Sequence, residues 1–102
     1  MDAALTAIAE PNRRQILGLI SSTELTAGEI AGHFDVSRPA ISQHLAVLRS
    51  AGLVTERRAG TRRFYRARPE GLTGIRDWLD TFWRAGLEQL RIEAEREAKR
   101  AR

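Results

Sequence analysis

Thr26-Ala27-Gly28-Glu29-Ile30-Ala31-Gly32-His33-Phe34-Asp35-Val36-Ser37-Arg38-Pro39-Ala40-Ile41-Ser42-Gln43-His44-Leu45-Ala46-Val47-Leu48-Arg49-Ser50-Ala51 is the stretch that decides the fold. Thr26 and Glu29 stand three apart as a capping box, so a helix opens there with Ile30, Ala31 and Phe34 facing inward. Asp35-Val36 reads as a tight turn, with Asp35 at the position where a left-handed residue is expected. Ser37 is a good N-cap for a second helix, and Pro39 fits its first turn because no backbone donor is lost there. Ile41, Leu45 and Leu48 recur at four and three residues and form that helix's buried stripe. Ala31 lets the two helices approach and Val36 plugs the corner. Gly52 follows as the residue just past the helix end. The pattern over 26–51 is a helix-turn-helix.

Upstream, residues 3–9 read as a short helix with Leu5 and Ile8 on one edge. After Pro11 an amphipathic helix runs from Asn12 to about Ser21, with Ile16, Leu17, Leu19 and Ile20 apolar. Downstream, Leu53–Arg58 and Arg62–Ala67 are strand candidates around an Ala59-Gly60-Thr61 turn, where Gly supplies a positive φ. Phe64 and Tyr65 fall on opposite faces of their strand, one to pack and one to remain partly exposed. From about Leu72 one long helix follows. Leu72, Ile75, Leu79, Phe82, Gly86 and Leu90 approximate a heptad seam, widened by Trp78, Trp83 and Leu87.

Composition bounds the function. The 102 residues make one small domain, 1–102, with the helix-turn-helix at 26–51, a wing at 53–67 and a C-terminal helix at 72–100. There are no cysteines, which excludes disulfides, thiolate metal sites and a Cys nucleophile. No apolar run is long enough for a membrane span, and the first residues lack the basic and apolar regions of a signal peptide. A cytoplasmic location without membrane contact is expected. Of the net charge of +4, the segment Arg38–Arg68 holds eight arginines against the single acid Glu56, which leaves the rest of the chain acidic. Such a basic segment is an electrostatic footprint for a polyanion.

Seating Ile41, Leu45 and Leu48 inward turns another face of the helix outward. Its base-reading set is Arg38, Pro39, Ser42, Gln43 and His44: Arg pairs with guanine and Gln with adenine in the major groove. Ser37, Arg49 and the wing residues Arg57, Arg58, Arg62 and Arg63 suit the DNA backbone or the adjacent minor groove. The alternative for both sets is an ordinary solvated surface. No Ser/His/Asp grouping, phosphate-cradling glycine loop or metal set stands at usable spacing, so no enzyme and no cofactor are expected.

The run Ser37–Val54 resembles the recognition helix of the ArsR/SmtB-type bacterial repressors. Glu10-Pro11-Asn12-Arg13-Arg14-Gln15-Ile16-Leu17 is similar to that family's second-helix opening, and Gly60-Thr61-Arg62-Arg63-Phe64-Tyr65-Arg66 to its wing. The resemblance covers roughly residues 3–90 and implies a mainly α winged helix-turn-helix with a small β-hairpin, ordered α-α-α-α-β-β-α. It also implies a homodimer through the first and last helices, so that Leu5, Ile8, Ile75, Leu79, Phe82, Trp83, Gly86 and Leu90 become interface candidates. The implied function is operator-binding repression of a bacterial operon, released by an inducer. Metal-sensing members carry cysteines where this chain has Glu24–Glu29, or Asp/His/Glu sets on the last helix, which has no histidine here. The only histidines are His33 and His44. The chain therefore looks closest to the non-metal branch, often repressors of their own operon. Its expected partners are an inverted-repeat duplex and a second copy of itself, with no metal. A non-specific architectural DNA binder and a protein-interaction module are the competing readings.

Overall fold

The computed structural model describes residues 1–101. Five helices and one hairpin follow in order: α1 (Asp2–Ile8), α2 (Pro11–Leu19), α3 (Ala27–Ala31), α4 (Arg38–Ser50), β1 (Val54–Ala59), β2 (Arg62–Ala67) and α5 (Thr73–Arg100), with a 3-10 turn at Pro69–Leu72 before the last helix. This is a mainly helical winged helix-turn-helix.

Local chemistry sets the helix starts. Glu10 caps α2 by accepting from the Arg13 backbone N–H, and Pro11 occupies its first turn. Thr26 and Glu29 form the reciprocal capping box of α3, and the Ser37 hydroxyl accepts from the Ala40 N–H to start α4. Gly52 ends α4 with φ +77°, a conformation that costs a residue bearing a Cβ about 1–2 kcal/mol. Asp35 has no positive φ: the α3–α4 corner turns without a left-handed residue, so nothing there demands glycine.

The core is a contiguous set of large aliphatics from successive elements. Ile16, Ile20, Ile30, Ile41, Leu45, Leu48 and Leu53 are all fully buried, and each contributes about 1.5–3 kcal/mol by leaving water. From α1 the buried residues are Ala4 and Ala7, while Leu5 is exposed and Ile8 half-buried against the core. Small side chains let α1 lie close to α2 and α4.

The hairpin pairs Val54 with Ala67 through to Ala59 with Arg62. Its loop is therefore the two residues Gly60-Thr61, one shorter than the spacing suggested, with Gly60 at φ +63°. Glycine first in a two-residue loop matches the strand twist. Leu25, just before α3, exchanges both backbone hydrogen bonds with Tyr65 at 3.1 and 2.8 Å, and Ala67 N donates to Ile20 O at 2.9 Å. These bonds root the wing in the helical body.

Leu72, expected inside the long helix, sits in the 3-10 turn that Pro69 opens. Beyond it, α5 buries only Ile75. Its 28 residues project about 42 Å. The radius of gyration is 19.9 Å, whereas a compact chain of this length has about 13 Å.

Candidate nucleic-acid interface

Helix α4 can be read by angle, at 100° per residue. With Ile41, Leu45 and Leu48 facing the core, Pro39, Gln43, Ala46 and Ser50 lie on the opposite side, in solvent. Arg38, Ser42 and Arg49 flank the stripe on the side of the wing. A cleft of about 320 Å³ separates α4 from the hairpin and is lined by Thr26, Arg38, Ser42, Arg62, Arg63 and Tyr65. The Arg38 guanidinium lies back over α3: a Cβ on Gly28 would stand 3.7 Å from its Cζ.

His44 falls on the other flank, about 60° off the buried stripe. Its side chain is 19% exposed. Nδ1 stands 3.4 Å from Arg13 Nη1 and 4.0 Å from the Glu10 carboxylate. His44, expected among the base-reading residues, faces α2 through these two neighbours. Arg13 in turn donates from Nε to Ala7 O at 2.6 Å and from Nη2 to Thr6 O at 3.2 Å, and Arg14 donates to Ile8 O at 2.7 Å. Two cations thus satisfy the last carbonyls of α1, where the helix dipole favours positive charge.

The wing concentrates arginine more tightly than the sequence suggested. Arg58 stands directly opposite Arg63, a like-charge pairing that destabilises a hairpin unless an anion or acid relieves it. The Arg57 and Arg62 guanidiniums lie over Phe64, 4.9 and 5.1 Å from its centroid. Phe64 and Tyr65 are both half-buried, with Phe64 held among arginines and Tyr65 packed against the core. Arg57 Nε also donates to Glu24 at 2.9 Å, and Arg62 lies 3.7 Å from Glu29. Glu56 meets Arg49 at 2.9 Å and Arg63 at 3.6 Å. The Thr26 backbone N–H, then its hydroxyl, hold the Glu29 carboxyl below the usual carboxylate range, with the Arg62 charge adding to the effect. Arg58 forms no ion pair among the described residues. Sequence reading missed the roles of Glu24 and Glu29, which are remote in the chain; Leu25, an apolar residue between them, was the only local hint that this segment joins the sheet.

On α5, Leu79, Phe82, Trp83 and Leu90 are exposed, together with Trp78 and Leu87, and Trp78 stacks on Phe82 with centroids 5.4 Å apart. Phe82 and Trp83 reach 63% and 66% exposure, far beyond what scattered surface apolar residues explain. Gly86 has open space beside it. Ile75 does not belong to this free stripe: it is buried in the chain's own core, as is most of Ile8. No described helix is long and apolar enough to cross a membrane, and no group of three or more potential metal ligands gathers among the described residues.

The chain matches the model of the bacterial regulatory protein, arsR family, over residues 10–56. It is 48% identical over 86 residues to the HTH-type transcriptional regulator Rv2034 of Mycobacterium tuberculosis, covering 84% of this chain and 80% of that protein. It is 36% identical to the transcriptional repressor SdpR of Bacillus subtilis, covering 84% and 96%. Among solved structures, the homodimeric winged helix-turn-helix DNA-binding domain Mb0332 of Mycobacterium bovis superposes with a TM-score of 0.65 at 31% identity, covering 79% of this chain and 75% of that one. On the family match and these likenesses, the chain belongs to the arsR family of bacterial transcriptional regulators.

Proposed function

We propose that this protein is a homodimeric repressor that reads an inverted-repeat operator, its own promoter included. The carrying observation is the pairing of a solvent-facing polar side of α4 with an arginine wing across one cleft. Arg38, Ser42 and Gln43 meet base edges in the major groove, with Pro39 in close approach. The Ser37 end of α4 lies beside a phosphate, and Arg57, Arg58, Arg62 and Arg63 follow the backbone into the neighbouring groove, with Arg49 at the far end of α4. Like charges set opposite each other on the hairpin support a polyanionic partner.

The exposed stripe of α5 and the exposed Leu5 of α1 support the dimer. Two copies related by a two-fold axis bring their α4 helices to successive major grooves about 34 Å apart. The chemistry is binding alone, in the cytoplasm, with no metal and no cofactor needed. Gln43→Ala tests the base-reading role: it lowers affinity for the operator by about 5- to 100-fold and leaves scrambled duplex unchanged. Arg62→Ala weakens both duplexes alike and lowers the salt slope by about one. Equal loss on matched and scrambled duplex for Gln43→Ala removes it from the reading set.

A further inference from the structure

Two arginines of the wing, Arg57 and Arg62, are already held by acids from outside it. Glu24, on the segment leading into α3, accepts from Arg57, and Glu29 of α3 faces Arg62. Neither acid belongs to the wing; the fold carries both to it from α3 and the segment just before it. A carboxylate takes the same guanidinium donors that a phosphate takes. The side chains of Arg57 and Arg62 are 56% and 63% exposed, so both pairs are wet and open to exchange. Both guanidiniums also lie over the Phe64 ring, a contact that does not depend on which anion they hold.

We propose that Glu24 and Glu29 are internal competitors for DNA phosphate, holding Arg57 and Arg62 in the free protein and giving them up when duplex binds. Each such wing contact then exchanges one anion for another rather than adding a new one. Arg57 and Arg62 then add less sequence-independent affinity than they would unpaired, and the contacts of α4 to base edges weigh more in deciding where the protein stays. The inference rests on the DNA-binding reading above and names two residues that limit it.

Glu24→Gln and Glu29→Gln remove the charges with little change of shape, and glutamine at 29 keeps the capping box of α3. The readout is fluorescence anisotropy on a labelled duplex of scrambled sequence, with a thermal melt to show that each variant is folded. Each substitution is expected to raise affinity about two- to fivefold, the worth of an exposed pair. The gain of Glu24→Gln disappears in an Arg57→Met background, and that of Glu29→Gln in Arg62→Met, because the carboxylate then has nothing to hold. An equal gain in the Met backgrounds, which marks a general charge effect, overturns the proposal. So does no gain, or a loss, which marks pairs that aim the arginines at DNA. Wild-type protein that binds no duplex overturns the functional reading itself; wild-type protein that binds, with no coupling in the cycle, overturns this inference alone.

Discussion

The Arg13 guanidinium stands 3.4 Å from Nδ1 of His44 and joins the second helix to α4 while its other nitrogens hold the end of α1. One side chain thus fixes three helices. Arg13→Ala is expected to destabilise the fold by about 1–3 kcal/mol, the cost of leaving charge-assisted hydrogen bonds unmade. Arg13→Lys loses less but does not restore wild type, because an ammonium lacks the rigid fork that spans two carbonyls. Urea denaturation measures both; unchanged midpoints mean that the α1 carbonyls are satisfied by water equally well.

Because His44 faces α2 and not the open side of α4, His44→Ala is expected to leave discrimination between operator and scrambled duplex intact. Any effect falls on both duplexes together. A loss confined to the operator, seen in parallel anisotropy titrations, restores His44 to the base-reading set.

Gly71 packs where no side chain fits: a Cβ there would collide with the carbonyl oxygen of Gly52 and come within 2.9 Å of Leu53 Cδ2. The 3-10 turn must press against the end of α4 to launch α5. Gly71→Ala is therefore expected to cost about 1–3 kcal/mol, the usual penalty for overpacking. Gly18→Ala, with nothing within 4 Å, serves as the control and is neutral or stabilising. Thermal melts of the pair decide; equal melting temperatures show that the turn moves aside at no cost.

Trp83, two-thirds exposed in one chain, is expected to be covered in the dimer. Trp83→Glu shifts the protein to monomer, weakening association by at least about 100-fold, because an apolar side chain is lost on both sides of the two-fold axis and a charge replaces it. Sedimentation velocity reads the result. A variant that stays dimeric moves the interface off this stripe.

Much of this arrangement was legible in the residues. The period of Ile41, Leu45 and Leu48, the hydroxyl caps at Thr26 and Ser37, and the glycines at 52 and 60 each act through neighbours a few residues away. What escaped depends on distance in the chain or on small side chains. Ala4 and Ala7 bury α1 without an apolar pattern to announce it. His44 lies at the margin of the stripe, where only the presence of Arg13 and Glu10 decides which way it turns. Glu24 and Glu29 reach the wing because Leu25 pairs with Tyr65, a contact between residues forty positions apart. The seam of α5 was legible as apolar spacing, but the spacing could not separate Ile75, which the chain keeps for its own core, from Leu79 and Phe82, which it leaves exposed.

The central claim, a dimer that recognises a particular duplex, is tested most directly by anisotropy titration of the purified protein on the DNA upstream of its own gene, with a scrambled duplex as control and two salt concentrations. Tight binding to the native duplex alone, saturating at two chains per site, is the predicted result. Equal affinity for both duplexes with a steep salt dependence, together with no sequence recovered by selection from a random pool, would contradict it and leave the arginines with a purely non-specific task.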